Sequence, residues 1–305
     1  MFPLSDPDIP RQTRPILTIV LIVTNVLVFA YQFFLNDIDT FILTYKFGAI
    51  PAEILGNRYL ETFPVRLGLR IYHLDIATPI PSLATIFTSM FMHGGFMHLF
   101  GNMLYLWVFG NSLEDRMNRL VFLVFYLVSG TVAVLAHSMI EPLSLIPMVG
   151  ASGAVSGILG AYLVLYPTSR INTLVVFGLI TTIAIPAYVF LGIWFLLQLF
   201  NSIGSIGPEV ATSGGVAYFA HVGGFMVGIL VGVVYRLVKS GNSMERSTRL
   251  SPYSLGGQEN RTSSTGGLDV RYCLYCGSED LRYPSQDHTD SYCNNCGSTF
   301  TETTR

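Results

Sequence analysis

The chain has 305 residues, of which 51% are hydrophobic and only 12% are charged. Soluble domains carry about 25% charged residues, so this composition excludes an ordinary water-soluble enzyme and indicates a membrane protein. The formal net charge of −2 provides no basic field, so nucleic acid is not an expected partner. Five charged residues lie in 118–238 and fifteen in the shorter stretch 239–305. The composition therefore predicts an apolar body followed by a polar tail.

Six apolar segments of the body are candidate membrane spans, because about 20 apolar residues in a helix cross the hydrocarbon core. They are Pro15 to Phe34, about Phe96 to Phe109, Leu120 to Ala136, Ala151 to Leu165, about Pro186 to Asn201, and Gly215 to Val238. The apolar run that begins at Ile171 is longer than one crossing and is divided by Pro186, so its first half is interpreted as a half-buried lead-in. Six crossings would put both termini on the same side.

The distribution of Arg and Lys predicts which side that is. Basic residues such as Arg14 and Arg116 flank the spans on one side, and the loops around Glu141 and Glu209 on the other side have none. Because short cytoplasmic loops are enriched in Arg and Lys, both termini are expected in the cytoplasm. The long first loop, about residues 35 to 86, then lies outside at the membrane interface. We expect a multi-pass protein of a prokaryotic plasma membrane.

Three polar clusters lie in or at the start of these spans, where such groups are costly and mark a functional site by default. The first runs from His93 to His98 and Asn102, and the last two are four residues apart on one helix face. The second places Ser152 at the start of the fourth span, and the third places His221 in the sixth. Each cluster alone is explained more simply by structural hydrogen bonds. Together they supply a nucleophile, a base and oxyanion donors.

Glycines recur every four residues in the fourth and sixth spans. They are Gly153 and Gly157 in the fourth span, and Gly224, Gly228 and Gly232 in the sixth. Small-residue faces of this kind let membrane helices approach closely. Because His221 precedes Gly224 by three residues, close packing is expected to bring Ser152 within hydrogen-bond reach of His221. Helix packing alone would also explain the glycines, so the functional hypothesis depends on the polar residues.

The joint pattern resembles the rhomboid family of intramembrane serine proteases. The resemblance covers about residues 10 to 240. It consists of the histidine-rich segment ending in Asn102, the Gly-Xaa-Ser-Gly motif at 150–153 and the Ala-His-Xaa-Xaa-Gly-Xaa-Xaa-Xaa-Gly motif at 220–228. The fold that it implies is an all-α polytopic membrane protein with a six-helix rhomboid-like bundle.

The resemblance also implies residue roles. Ser152 is the nucleophile and His221 the general base of a dyad that cleaves transmembrane segments, with His98, Asn102 and the Ser152 amide as oxyanion donors. Structural residues near the site are His93, Gly150, Gly153, Gly224 and Gly228. No Asp or Glu occurs in the predicted spans, so no third triad member is expected. A protease of this class is expected to need no cofactor for catalysis. The implied substrates are single-pass membrane proteins, cut in the lipid bilayer near their outer boundary.

Two features depart from the family pattern. The position four residues after the nucleophile, often aromatic in rhomboids, is Ser156. The first loop lacks a Trp-Arg pair found in many members, since the only tryptophans are Trp107 and Trp194. Both concern the support of the histidine and the anchoring of the loop, and leave the reaction class unchanged. The Gly- and Ser-rich loop from Ile203 to Tyr218 is predicted to cap the site, with the fifth span as a lateral gate.

Two other functions are consistent with parts of this pattern. One is a catalytically silent rhomboid-like protein that binds membrane clients, which the presence of both Ser152 and His221 disfavours. The other is a proton-coupled transporter using its histidines, which the absence of membrane carboxylates disfavours.

The polar tail contains all the cysteines of the chain. After a linker predicted at 240–268, Cys273 and Cys276 form one Cys-Xaa-Xaa-Cys pair and Cys293 and Cys296 form another. This spacing predicts a structural zinc site with four thiolate ligands, and two disulfides are disfavoured on the cytoplasmic side.

The domain boundaries follow from these assignments. The predicted order is a cytoplasmic segment 1–14, a six-span protease domain 15–239, the linker, and a small β-rich zinc ribbon at 269–305. The ribbon has no basic face, which favours a cytoplasmic protein partner over nucleic acid.

Overall fold

A computed structural model describes residues 2–67, 70–177, 179–204, 217–249, 281–282, 290–293 and 299–301. The chain divides into two compact units, Met1–Val233 and Val234–Arg305. The first unit is mainly helical and contains nearly all of the segments predicted to lie in the membrane.

The elements of secondary structure are numbered here in chain order. The helices are α1 (Ile16–Phe33), α2 (Asp37–Phe47), α3 (Pro51–Ile54), α4 (Thr85–Ser89), α5 (Phe96–Tyr105), α6 (Asn111–Arg116), α7 (Arg119–Ile140), α8 (Ser152–Leu165), α9 (Ala187–Gly204) and α10 (Tyr218–Arg249). The strands are β1 (Phe2–Ser5), β2 (Thr62–Leu67), β3 (Arg70–Asp75), β4 (Arg170–Phe177), β5 (Leu179–Pro186), β6 (Leu281–Arg282), β7 (Asp290–Cys293) and β8 (Thr299–Thr301). A 3₁₀ turn at Ser82–Ala84 precedes α4, and a π-helical turn at Leu106–Gly110 joins α5 to α6.

Three helices of the described residues are long and apolar enough to cross a membrane. They are Ile16–Phe33, Arg119–Ile140 and Tyr218–Lys239, which coincide with the first, third and sixth predicted spans. Two shorter apolar helices, Ser152–Leu165 and Ala187–Ile203, coincide with the fourth and fifth. The second predicted span corresponds to α5 and the π-helical turn. The fold is that of a helical membrane protein, and the count of six crossings stays a prediction.

Strands occur in two places where the sequence analysis expected none, so the all-α expectation is wrong there. Strands β4 and β5 form an antiparallel hairpin, and β1 pairs with the other edge of β4. This hairpin replaces the expected half-buried lead-in, because its Ile, Val and Thr residues favour strands and β1 supplies a partner. A second antiparallel hairpin, β2–β3, lies within the first loop.

Carboxylates tie the N-terminal segment to the end of α6. Asp115 accepts hydrogen bonds from the backbone N–H groups of Gln12 and Thr13, at 2.9 and 2.7 Å. Glu114 accepts from the N–H groups of Leu17 and Thr18, at 2.9 and 2.7 Å. These N–H groups belong to the first turn of α1 and have no intrahelical acceptor, so Glu114 caps that helix from another element.

The same region contains a buried carboxylate, Asp6. Its oxygens accept hydrogen bonds from the hydroxyl of Ser112, from Arg11 at 2.8 Å and from the hydroxyl of Tyr162 at 3.3 Å. Burial raises the pKa of Asp6 above its ordinary value of 3.8, against the opposing effect of Ser112 and Arg11. Because Tyr162 lies in the last turns of α8, the N-terminal segment lies at the C-terminal end of α8.

The first loop packs on the connection between α7 and α8. The backbone of Ala49 pairs with that of Met148 through two hydrogen bonds of 3.0 and 2.8 Å, and the N–H of Ala52 donates to the carbonyl of Ser144 at 3.1 Å. This connection leads directly into Ser152. The first loop therefore fixes the start of α8, at the opposite end of that helix from the N-terminal segment.

Large buried side chains fix α8 against its neighbours. Phe122 and Tyr126 of α7, Phe109 of the π-helical turn, and Ile158 and Tyr162 of α8 are fully buried. The rings of Phe109 and Tyr162 meet edge to face, with centroids 4.9 Å apart. Such close packing makes α8 the central helix of the unit.

The described residues of the second unit include a three-stranded antiparallel sheet in the order β6-β7-β8. Cys293 ends β7, whereas Cys273, Cys276 and Cys296 lie outside the described residues. Helix α10 ends at Arg249 and so extends ten residues into the predicted linker, the rest of which also lies outside the described residues.

Candidate active site

Ser152 is the first residue of α8. No side chain caps this helix, whose N-cap is Ala151. The N–H groups of the first turn are therefore available to a ligand, and the helix dipole favours negative charge at this end. One turn later, the hydroxyl of Ser156 donates a 2.6 Å hydrogen bond to the carbonyl of Ser152. The start of α8 thus presents a serine hydroxyl beside several backbone donors.

Helices α8 and α10 approach each other through their glycines. A Cβ atom added to Gly224 would collide with the carbonyl oxygen of Gly153, and one added to Gly228 would collide with that of Gly157. One added to Gly160 would collide with the carbonyl oxygen of Phe225. The glycine repeat seen in the sequence is therefore the contact surface between the helix that carries Ser152 and the helix that carries His221.

The predicted site residues line one cavity of about 1030 Å³. Ser152 of α8, His221 of α10, and His98 and Asn102 of α5 all border it. The connection between α7 and α8 and part of α9 complete its wall. The structure therefore brings together, around one cavity, the residues that the sequence analysis predicted as nucleophile, base and oxyanion donors from three separate motifs.

Asn102 and His98 flank Gly150 on the approach to Ser152. The side-chain nitrogen Nδ2 of Asn102 is buried and has no hydrogen-bond partner among the described residues. A Cβ atom at Gly150 would lie 2.7 Å from Cε1 and Nε2 of His98 and 3.7 Å from Nδ2 of Asn102. Gly150 also has a φ of +127°, which other residues rarely adopt. Only glycine fits here, and it leaves two side-chain donors near the start of α8.

His93 packs beside His98. It is buried, and its ring meets that of His98 edge to face with centroids 5.1 Å apart. Its backbone N–H donates to the side-chain oxygen of Gln32 at 3.0 Å. These contacts connect α1 to the segment that leads into α5, and the structural role predicted for His93 stays a prediction.

His221 contacts two residues that the sequence analysis did not assign to the site. Its Nδ1 lies 2.9 Å from Oε1 of Gln198, and its ring lies 6.2 Å from that of Trp194, centroid to centroid. Both residues belong to α9. Gln198 is a polar residue in a predicted span, so the rule that singled out Asn102 would also have found it.

The cavity wall also contains two titratable residues, His137 and Glu141, that the sequence analysis did not assign to the site. His137 lies in the last turn of α7, and Glu141 follows that helix directly. Nε2 of His137 lies 3.9 Å from Oε2 of Glu141. Glu141 falls just beyond the third predicted span, so a rule restricted to polar residues within spans passed over it.

The described part of the chain contains no group of three or more His, Cys, Asp and Glu side chains able to hold a metal ion. Three of the four predicted zinc ligands lie outside that part, so the zinc prediction stays a prediction.

The fold and the cavity define a helical membrane protein with serine, histidine and asparagine side chains around one cavity. Residues 81–237 match the family model of the Rhomboid domain. This match covers half of the chain and confirms the predicted family: the chain belongs to the rhomboid family.

Several curated proteins are similar to this chain. Rhomboid protein 1, mitochondrial, of Saccharomyces cerevisiae is 32% identical over 157 residues, which are 50% of this chain and 42% of the yeast protein. RHOMBOID-like protein 1 of Arabidopsis thaliana is 28% identical over 72% of this chain and 53% of the plant protein. Rhomboid protease GluP of Bacillus subtilis is 33% identical over 40% of this chain and 23% of the bacterial protein. The chain thus spans about half or less of the length of these relatives.

Proposed function

We propose that this protein is an intramembrane serine endopeptidase in which Ser152 and His221 form a catalytic dyad. The observation that carries the proposal is the single cavity bordered by Ser152, His221, His98 and Asn102. In the proposed cycle, Nε2 of His221 takes the hydroxyl proton as Oγ of Ser152 bonds to a peptide carbonyl carbon. The imidazolium then gives that proton to the leaving amine, and water hydrolyses the acyl-enzyme by the same route.

The oxyanion formed during this cycle needs donors that are already in place. The unpartnered Nδ2 of Asn102 is suited to this role, since leaving a buried donor unbonded is costly unless a ligand uses it. His98 can donate from its ring, and the first-turn N–H groups of α8 can donate from the backbone. All these donors are neutral or backbone groups, which are less costly than charges within a membrane.

The depth of the site suits a substrate within the bilayer. Helix α8 has 14 residues and is therefore about 21 Å long, shorter than a hydrocarbon core of about 30 Å. The C-terminal end of α8 lies near the N-terminal segment, at one membrane surface. Ser152, at the other end of this short helix, would therefore lie within the membrane, below the opposite surface. The cavity would then supply the water that deacylation requires.

Contacts at the other end of α8 support an even number of crossings. Thr13 bonds to Asp115, so both lie on one side of the membrane, and α1 and α5 lie between them. Asp8 accepts a hydrogen bond from the N–H of Arg170 at 2.8 Å, so these two residues also lie on that side. The helices between them in the chain are α1, α5, α7 and α8. With α9 and α10, these helices make the six proposed spans. From the charge distribution we propose that this side, and both termini, are cytoplasmic.

The substrates we propose are single-pass membrane proteins, cut near their outer membrane boundary. They would enter from the lipid between α5 and α9, with α9 as the gate and the loop 203–218 as a cap. The described residues include only the ends of that loop.

We further propose a cytoplasmic zinc ribbon that binds a protein partner. A closed site with four thiolates fits the chemistry of the two Cys-Xaa-Xaa-Cys pairs. The described antiparallel sheet, in which Cys293 ends a strand, supports the β-rich module that was predicted.

One experiment tests the endopeptidase proposal. Purified protein is incubated with a panel of single-pass substrates and, separately, with a fluorophosphonate that labels activated serines. The matched variants are Ser152→Ala, His221→Ala and Ser138→Ala; the last removes a buried hydroxyl of α7 that bonds only within its own helix.

We expect cleavage and labelling in the wild type and Ser138→Ala, and neither in the two dyad variants. If the wild type binds substrates but neither cleaves nor takes the label, the catalytically silent binding function replaces this proposal. If Ser152→Ala still cleaves, the nucleophile is wrongly assigned.

A further inference from the structure

A histidine acting as general base must hold one tautomer, with a free lone pair on the nitrogen that faces the nucleophile. In a triad, a carboxylate bonded to the other nitrogen fixes this tautomer. Among the described residues, Ser156, one turn after Ser152, makes no hydrogen bond to His221, and its hydroxyl donates to the backbone of its own helix. The support for His221 comes instead from α9.

Two side chains of α9 contact the ring of His221. Oε1 of Gln198 lies 2.9 Å from Nδ1, and the Trp194 ring lies alongside with its plane tilted by 31°. Because these residues are four apart, they lie on one face of α9. The Trp194 ring also packs on Phe225, one turn after His221, with centroids 5.8 Å apart. The face of α9 that carries Trp194 and Gln198 is therefore docked on α10 at the base.

An amide oxygen only accepts hydrogen bonds, so with Oε1 at 2.9 Å this contact is a hydrogen bond when the hydrogen of the imidazole is on Nδ1. Nε2 is then left with its lone pair and can accept the proton of a serine hydroxyl. We infer that Gln198 is the positioning residue that fixes the tautomer of His221, an inference that rests on the proposed function.

Gln198 keeps its bond throughout the proposed cycle. When Nε2 receives the proton of Ser152, Nδ1 keeps its own hydrogen and still donates to Oε1, so no proton passes to Gln198. The bond strengthens at this stage because the donor is now charged. A neutral amide thus orients the base without the cost of desolvating a carboxylate in the membrane.

The position of α9 determines whether the base is held in place. Gln198 and Trp194 can hold His221 only while α9 is packed on α10. If α9 moves aside to admit a substrate, the base regains its proper tautomer only when α9 returns. The attack of Ser152 on the peptide therefore takes place only after α9 has packed on α10 again.

The test uses the full-length protein and four substitutions. Gln198→Met removes the acceptor at similar volume, Gln198→Glu keeps an acceptor and adds charge, and Leu197→Met changes the neighbouring, exposed side chain of α9 as a control. Ser152→Ala provides an inactive background for ¹⁵N NMR of labelled histidine, which distinguishes a protonated Nδ1 from a free one without requiring activity.

We expect Gln198→Met to lower kcat about 10- to 100-fold with little change in KM, because the lost bond is to a charged donor in the transition state. Gln198→Glu should retain activity and move the acidic limb of the pH–rate profile to higher pH, because a carboxylate favours the protonated ring. In the Ser152→Ala background, His221 should show one tautomer with a hydrogen on Nδ1, and Gln198→Met should mix the two tautomers. Leu197→Met should match the wild type throughout.

Wild-type kcat in Gln198→Met together with an unchanged His221 spectrum overturns the inference, as does a loss confined to KM. If Gln198→Met is not recovered folded, the pH profile and spectrum of Gln198→Glu decide, and an unshifted profile overturns the inference. If the wild type cleaves nothing, the proposed function fails, while the spectrum of His221 with and without Gln198 still decides whether the amide fixes the tautomer.

Discussion

Gly224 of α10 lies directly against the backbone carbonyl of Gly153 in α8. Ser152 is the neighbour of Gly153, and His221 is three residues before Gly224. The separation of the proposed nucleophile and base is therefore set by a backbone contact, which leaves little freedom for the two helices to move apart or slide.

This contact predicts opposite effects for the same substitution at two helical glycines. Gly224→Ala places a methyl group on the Gly153 carbonyl and should lower the free energy of unfolding by roughly 1–3 kcal/mol, with a loss of cleavage. Gly192→Ala in α9 meets no atom within 4 Å and should be neutral or stabilising by up to about 1 kcal/mol. Unfolding in detergent, followed by circular dichroism, measures both. Equal effects of the two variants would contradict the contact.

A second prediction concerns Gly150. Gly150→Ala adds a methyl group 2.7 Å from the His98 ring at a backbone φ of +127°, so we expect His98 to be displaced and one oxyanion donor to be lost. Removal of one such donor lowers the rate about 10²–10³-fold. The control is Gly94→Ala, which borders the same cavity but has open space around its Cβ position. Comparable kcat values for the two variants would argue against a donor role for His98.

Tethering α9 to α5 tests lateral entry of the substrate. The rings of Tyr105 and Phe190 lie 6.3 Å apart, so these two positions face each other across the proposed gate. The test places Tyr105→Cys with Phe190→Cys in a chain whose four native cysteines are changed to serine, and mass analysis establishes that the disulfide has formed before activity is measured. We expect the oxidised form to lose cleavage of transmembrane substrates and the reduced form to regain it. Each single cysteine variant serves as a control for oxidation. Undiminished cleavage in the oxidised double variant would refute the gate.

The buried carboxyl group of Glu53 should make the stability of the protein depend on pH. It is buried in α3, its Oε1 accepts from the N–H of Leu60 at 2.9 Å, and burial raises the pKa of its carboxyl above the ordinary value of 4.5. The folded state therefore binds the proton more tightly than the unfolded state. The resulting stabilisation is complete below about pH 4.5 and is lost as the pH rises through the folded pKa.

The variant Glu53→Gln keeps an acceptor for Leu60 and removes the charge. We expect Glu53→Gln to raise the Tm relative to the wild type, and to raise it more at pH 8 than at pH 4. Glu61→Gln, at an exposed position, should leave the Tm unchanged at both pH values. A Tm difference for Glu53→Gln that does not change with pH would show that burial of this carboxylate is not costly.

If the proposed zinc ribbon forms, the protein binds one zinc ion per chain. Elemental analysis of the full-length protein should find it, and either Cys276→Ser or Cys293→Ser should abolish it, because a closed site needs all four thiolates. His288→Ala, which changes the histidine between the two Cys-Xaa-Xaa-Cys pairs and leaves all four predicted ligands in place, should retain the metal. A metal-free preparation with four oxidised cysteines would establish disulfides instead.

The parts of the fold that the sequence predicts best are those governed by composition. Helices α1, α7 and α10 were predicted because a long apolar run admits no other structure in lipid. The contact of Gly153 with Gly224 was expected because small residues every four positions form a flat helix face. The presence of Ser152, His221 and Asn102 around one cavity followed from the cost of polar groups in spans.

Other features depend on contacts that no local pattern encodes. The hairpin β4–β5 was missed because an apolar run of Ile, Val and Thr suits a buried strand as well as a membrane segment, and its partner β1 is far away in sequence. The contact of Gln198 with His221 depends on the register of α9 against α10. Glu114 was overlooked because its role is to cap α1, and the acceptors of a helix terminus cannot be read from the helix itself.

The pairing of β1 with β4 also bears on the order in which the molecule is assembled. Phe2 opposes Leu174 in the sheet, so β1 has no partner until α8 and then β4 have been synthesised. A contact that closes so long a loop forms late in folding. The conformational entropy lost on closing the loop is offset only after the intervening helices have packed. Strand β1 therefore completes the unit rather than nucleating it.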